Sequence, residues 1–343
     1  MTNKNLLFAA ALLVLVPACN KNVPVTSGVT PTLPHPLSFG TYVSQTKATD
    51  LTSENIHDFG VFAYHTANEA WNDAALPNYM YNQKVEGSQQ EGFTYSPVKY
   101  WPGAEGNKLS FFAYAPYATT TNGITMITSN NTAGTPKIKY AIPDSENNQI
   151  DLLAAGSLYD ATLQNTGGKI GFTFFHVLSR IGFQARLAAG VDPATSIHIN
   201  SLSLSSRYPT SGVLDLGDGN WSDIATGREK TYERNFGEGE AGLAVTTERV
   251  QISDGNNHLM LIPNENEVFN LVVNYCVVTP DSSLQGGKLI YSHTFTKTLT
   301  FTTEKGTAYD FLLTLSPSAI EFDAPIVLDW NVSQDPNGEI LLQ

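Results

Sequence analysis

Apolar residues in this chain recur at every second position, in short runs broken by Gly, Asn, Ser and Pro. Ile170, Phe172 and Phe174 alternate, as do Ile181, Phe183, Ala185 and Leu187. Tyr291, His293, Phe295, Leu299 and Phe301 share one face of a longer run, and Tyr309, Phe311, Leu313 and Leu315 one face of the next. Side chains two apart lie on the same side only of an extended strand, so this period selects β-structure. Further strand signals fall at 59–64, 108–115, 124–127, 137–142, 151–154, 197–204, 258–262 and 271–278. No segment keeps a helical period over the length of a stable helix; Thr162 or residues 175–180 form one turn at most. The expected fold is therefore all-β, built of antiparallel β-sandwiches rather than α/β units. Gln164-Asn-Thr-Gly-Gly168 interrupts the series and sets the expected boundary between an N-terminal sandwich, 49–164, and a C-terminal one, 165–343.

The N-terminus has a different character. Lys4 precedes an apolar run, 6–16, that ends in Val16-Pro17-Ala18-Cys19. A basic start, a short apolar stretch and a small residue before cysteine read as a lipoprotein signal peptide, 1–18, with Cys19 as the lipidated first residue of an exported protein. The run is too short to span a membrane, which takes about 20 apolar residues. Residues 19–48 read as a lipidated tether followed by an N-terminal strand. Leu37, Phe39, Thr41 and Val43 alternate along that strand, and Ser44-Gln45-Thr46-Lys47-Ala48 after it is polar. The formal charge of −13 becomes −14 once Lys4 is removed with the signal peptide. A surface this acidic excludes nucleic acid and anionic lipid as natural partners, because both select basic patches. With Cys19 lipidated, Cys276 is the only thiol left of two, so no intrachain disulfide supports the fold.

Chemistry is sparse. The seven histidines have no metal-ligand spacing, and His176 and His293 lie inside strand patterns. Cys276 sits in an apolar run and reads as a small buried residue. Ser96-Pro-Val-Lys99 matches an acyl-enzyme S-x-x-K but lacks the accompanying motifs. Glu238/Glu240 and Asp215/Asp218 read as solvated turn carboxylates rather than a calcium or glycosidase pair. Trp71, Trp101, Trp221 and Trp330 fit core and rim packing as well as a sugar site. The chain is expected to be no enzyme, with no catalytic residue, no metal and no cofactor.

Several segments resemble the fimbrillin family of Bacteroidales, the Mfa-like lipoprotein pilins of type V pili. Asp58-Phe-Gly-Val-Phe-Ala-Tyr64 is similar to an early strand of the family. Pro77-Asn-Tyr-Met-Tyr-Asn-Gln-Lys-Val85, Tyr95-Ser-Pro-Val-Lys-Tyr-Trp-Pro102 and Lys108-Leu-Ser-Phe-Phe-Ala-Tyr-Ala-Pro-Tyr117 resemble its next segments in order. Asp151-Leu-Leu-Ala-Ala155, Phe172-Thr-Phe-Phe-His-Val-Leu-Ser-Arg180, Gly306-Thr-Ala-Tyr309, Leu313-Thr-Leu315 and the stretch from Ile320-Glu-Phe322 to Trp330 carry the resemblance to the C-terminus.

The resemblance implies two tandem transthyretin-like β-sandwich domains, export as an outer membrane lipoprotein, and proteolytic removal of an N-terminal segment. The family commonly cuts after Arg in a T-R-A sequence; the matching place here is Thr46-Lys47-Ala48, with Lys47 and Ala48 as the expected cleavage pair. Losing Leu37, Phe39, Thr41 and Val43 would open an apolar groove that a strand of another pilin subunit fills by donor-strand exchange. The body from Ala48 would carry −16, because Lys4, Lys21 and Lys47 all leave a chain of −13. The expected donor is the C-terminal tail, with Ile326, Leu328, Trp330 and Val332 at period two. The expected function is a fimbrillin-like structural and adhesive pilus subunit at the cell surface. The alternative is a non-polymerising surface lipoprotein that binds a glycan or host protein. Stalk, tip, anchor and solitary roles all stay open at this point.

Overall fold

Alternation along each strand decides which layer its side chains join, and the first strands show how. In the computed structural model, which describes residues 34–43, 51, 55–103, 106–143, 148–227, 229–253 and 258–330, β1 spans Ser38–Val43. β2 (Asp58–Ala67) and β3 (Met80–Ser88) form an antiparallel pair, β4 (Gly92–Thr94) folds back on β3, and β5 (Lys108–Ala115) returns along the other side of β2. β6 (Ile124–Met126) and β7 (Lys137–Ala141) leave this sheet to start another. β8 (Leu153–Ala155) and β9 (Leu158–Ala161) come back to β5. A single turn, α1 (Leu163–Thr166), then reverses the chain. Thr162 and Asn165 cap its start reciprocally, and Gly167 ends it with a left-handed φ of 62°.

After that turn β10 (Lys169–His176) pairs antiparallel with β8 and parallel with β1. The spatial order is β1-β10-β8-β5-β2-β3-β4, with β9 also on β5. β11 (Ser179–Leu187), β12 (Ser196–Ser206), β13 (Pro209–Asp215) and β14 (Trp221–Thr226) follow. β13 reaches back to β7, giving a sheet ordered β14-β13-β7-β6. β15 (Lys230–Asn235), β16 (Leu243–Val245), β17 (Val250–Gln251) and β18 (Leu259–Leu261) are short. β19 (Asn264–Pro280) and β20 (Lys288–Thr303) form a long hairpin. β21 (Thr307–Leu315), β22 (Ile320–Phe322) and β23 (Ile326–Asp329) close the chain. The last two sheets are ordered β17-β11-β21-β22, with β18 on β11 and β23 on β21, and β15-β12-β19-β20, with β16 on β12.

The chain is all-β with mostly antiparallel pairing, and β1–β10 and β11–β21 are its parallel pairs among the described residues. Segments on the two sides of position 165 share two sheets: β10 joins β8, and β13 joins β7. β2 and β5 are covered on both faces. Phe59, Val61, Leu109, Phe111 and Ala113 point into a first core, while Phe62, Tyr64, Phe112 and Tyr114 point into a second. That is why these strands read as unbroken apolar runs, as doubly buried strands do. The second core continues through Ile138 and Tyr140 to Phe183, Leu202, Phe269 and Phe311. β21 is buried at every position, and in its sheet it lies between β11 and the strands β22 and β23.

Candidate functional site

β1 supplies a whole stripe of the first core. Period two sends Leu37, Phe39, Thr41 and Val43 inward, with exposures of 2%, 3%, 3% and 1%, while Tyr42 faces out at 49%. Phe39 is the centre of the stripe. Its ring lies 5.8 Å from that of Phe172, stacked, and 6.3, 6.4 and 5.3 Å from those of Phe59, Phe111 and Tyr95. Aromatic pairs at such separations stabilise by about 0.5–1.5 kcal/mol beyond the area they bury. At Gly40 a Cβ would stand 2.7 Å from Cε of Lys169, so glycine lets that lysine stem lie across the strand.

The backbone of this segment is held from both sides. From Ser38 to Val43 it runs parallel to β10, with Phe39 opposite Ile170 and Thr41 opposite Phe172. Just before, it pairs antiparallel with the loop after β4: Leu37 N–H donates to Lys99 O at 2.8 Å, Trp101 N–H donates to His35 O at 2.8 Å, and Pro36 stands opposite Tyr100. The Tyr95 hydroxyl donates to Leu37 O at 3.0 Å and accepts Lys99 N–H at 3.2 Å. Burial raises the pKa of that phenol above its ordinary value, which keeps the donated proton in place. The Trp101 indole N–H donates to Gly168 O at 3.1 Å and so ties this loop to the start of β10. Nothing in the sequence marked Tyr95, Lys99 and Trp101 as a clamp on this segment, because the bonds they offer it come from one hydroxyl, the Lys99 main-chain carbonyl and the Trp101 main-chain N–H.

A family model described as fimbrillin-like matches residues 46–330. The chain belongs to that family. It is 26% identical over 326 residues to fimbrium subunit Fim1C of Phocaeicola vulgatus, covering 81% of this chain and 83% of that protein. Its fold is similar to the crystal structure of a fimbrial protein from Bacteroides vulgatus, with a TM-score of 0.71 at 23% identity over 86% of this chain and 99% of the other. This is a family of fimbrial structural and adhesive proteins, not of enzymes.

The remaining expected site residues of this fimbrillin divide in two. Cys19, Lys47, Ala48 and Val332 lie outside the described residues. Ile326 and Leu328 lie in β23, which pairs antiparallel with β21 of the same chain, Ala308 opposite Leu328 and Asp310 opposite Ile326. Ile326 is 40% exposed, whereas Trp330 is 1% exposed. The Trp330 ring stacks on His176 at 4.1 Å with the planes 10° apart, and the Arg180 guanidinium sits 5.4 Å from the same ring. Trp330 N–H donates to Gly306 O at 2.6 Å. Behind the stack, Asp151 takes His176 Nδ1 at 2.9 Å on one oxygen and Leu51 N–H at 2.9 Å on the other. Asp151 thus ties residue 51 to the end of β10, and Trp330 just after β23 packs on the same histidine, a convergence the alternating pattern did not reveal.

The residues weighed for chemistry stand as structural groups. His176 is the buried partner of Asp151, and His293 stacks on Tyr275 at 5.2 Å. Cys276 is buried, and burial raises its thiol pKa, which leaves little thiolate to react. Asp215 pairs with Lys137 at 3.4 Å, Asp218 caps the turn to Asn220, and Glu240 pairs with Lys288. No group of three or more His, Cys, Asp or Glu side chains is arranged to hold a metal among the described residues. Ser96 and Lys99 lie in the loop that holds β1, and it is the Lys99 carbonyl that contacts that strand.

Proposed function

We propose that this fimbrillin-like chain is a pilus subunit, exported to the outer membrane as a lipoprotein on Cys19 and assembled by protease-triggered donor-strand exchange after a cut between Lys47 and Ala48. The observation that carries this is β1 itself. It is an end strand of its sheet, lies upstream of the cut, and fills the first core with Leu37, Phe39, Thr41 and Val43. Its loss would uncover Ile170, Phe172 and Phe174 together with the unpaired edge of β10, a surface that a strand of the right pattern covers with main-chain bonds and alternate side chains. The family match begins at residue 46, which leaves β1 outside the matched body.

Home pairing of β23, with Trp330 buried, supports a second reading: a tip, an anchor or a solitary surface lipoprotein that binds a glycan or host protein and never releases its C-terminal strand. Trypsin treatment of the lipid-free protein from Asn20, with N-terminal sequencing and size analysis, separates the two. A new terminus at Ala48 with ladders of subunits is the expected result. Resistance at Lys47, or a clean cut that leaves only soluble monomer, overturns the pilus reading in favour of the solitary one.

A further inference from the structure

We propose that the cleft where β12 ends beside β19 is a saccharide-binding site, in which Glu267 and Arg207 bracket the hydroxyl groups of one or two sugar rings. The proposal takes up the glycan ligand of the second reading above and rests on that part of it. It is independent of strand exchange, since no residue of β1, β10 or β23 lines the cleft. The site follows from one break in the pattern of β19. Period two sends Phe269, Leu271 and Val273 into the core, and the inward position before them holds Glu267, 6% exposed. Beyond it the ladder to β20 slips by one residue, from Glu267 opposite Phe301 to Asn264 opposite Thr303. A bulge of this kind re-aims side chains and is over-represented next to functional sites. Asn266 takes a left-handed φ of 52°, and Thr302 Oγ1 accepts its N–H at 3.2 Å. On the other side β12 runs out at Ser206, whose hydroxyl donates to Val268 O at 2.7 Å. Arg207 follows it, and Glu229 leads into β15. Together they line a cleft of about 390 Å³, at the small end of ligand pockets, which run about 300–1,000 Å³.

The chemistry of the lining selects the ligand. Asn264 donates to Glu267 Oε1 at 3.1 Å, whereas Oε2 is buried and has no hydrogen-bond partner among the described residues. Burial raises the pKa of this carboxyl to about 7. A buried acceptor left bare is costly, and a ligand that brings an O–H to it recovers that cost. Asn266 and Asn270 add amides, which pair a donor with an acceptor as a hydroxyl does. Arg207 opposes a bare cation, while Glu267 and Glu229 oppose an anion. An apolar molecule would find only Val268 among the described side chains of the lining. A neutral ligand rich in hydroxyls suits all of these groups at once. Carboxylate oxygens accept from adjacent hydroxyls, and the planar guanidinium fork donates to them.

The test is calorimetric titration of the uncut protein from Asn20 with the methyl glycosides of D-glucose, D-galactose, D-mannose, L-fucose and N-acetyl-D-glucosamine. Glycine, as a zwitterion, and CaCl2, as a cation, are titrated alongside. Saturable binding of at least one glycoside is expected, weakened at least ~10-fold by Glu267→Gln and by Arg207→Met, because each removes a charge-assisted set of hydrogen bonds. Glu267→Gln keeps the size of the side chain, and a urea midpoint no lower than that of the parent shows that its loss of binding is not a loss of fold. Glycoside binding that both variants leave unchanged overturns this cleft as the site while the glycan reading stands. Glycine or CaCl2 bound in place of every glycoside, and lost in Glu267→Gln, overturns the ligand class. Absence of binding by any probe overturns the site and removes the glycan ligand from the second reading.

Discussion

Phe39, Tyr95 and Glu267 show how single side chains set the energetics of this fold. Phe39 is 3% exposed among four rings, so Phe39→Ala leaves a cavity and is expected to destabilise the uncut protein from Asn20 by about 3–5 kcal/mol in chemical denaturation. Tyr95→Phe keeps the ring and removes the hydroxyl that serves Leu37 O and Lys99 N–H. A cost of about 1–2 kcal/mol is expected, read as faster hydrogen exchange at the Leu37 and Lys99 amides with the core otherwise protected. Glu267 is 6% exposed; Asn264 donates to one of its oxygens, and burial pushes its pKa from 4.5 up to about 7. The native state therefore holds this proton more tightly than the unfolded chain does. Its contribution to stability is fully present below about pH 4.5 and is lost as pH rises through 7. Glu267→Gln is expected to be neutral near pH 4 and stabilising by on the order of 2 kcal/mol at pH 8, measured as the difference in urea midpoints between the two pH values.

At the scale of elements, β1 and β23 each pair with one other strand among the described strands. β1 is held by β10, by the loop after β4 and by its own inward stripe. β23 pairs only with β21 among the described strands, and its deepest anchor is Trp330 at its end. Trp330→Ala removes the ring that covers His176. It is expected to raise exchange at the amides of β23 by ~10-fold or more while β11 and β21, which pair with each other over eight positions, stay protected. Equal loosening of β11 and β21 would mean that Trp330 supports the whole C-terminal core rather than one strand.

At the scale of the whole molecule, charge governs how copies meet. Removal of Lys4, Lys21 and Lys47 from a chain of −13 leaves bodies of −16 that must approach one another to assemble. Repulsion between them is screened over a Debye length that falls from about 30 Å at 0.01 M salt to about 8 Å at 0.15 M. Ladder formation by the cut protein is expected to speed up at least ~10-fold over that range, followed by light scattering; a rate that is flat or falls with salt would show that encounter is not what limits assembly.

Much of this was legible in the alternation. The stripe of Leu37, Phe39, Thr41 and Val43, the inward set of β10 and the absence of long helices all follow from period two, because a strand has only two faces and one of them must leave water. The N-terminal lipoprotein pattern is an equally local reading, and it lies outside the described residues. Partnership was not legible in this way. That β1 lies parallel to a strand about 130 positions away, that β2 and β5 are covered on both faces, and that Trp330 seats on His176 depend on which apolar surfaces meet once the chain has closed. A side-chain pattern specifies a face to be buried, and many strands of similar composition offer to bury it. The choice among them is made by main-chain bonds, such as those of Lys99 and Trp101 to β1, that leave no trace in side-chain identity. Sequence alone thus determined the strands and their inner faces. Tertiary structure decided which strand each one holds, because hydrogen-bond partners and shared cores exist only between segments already brought together.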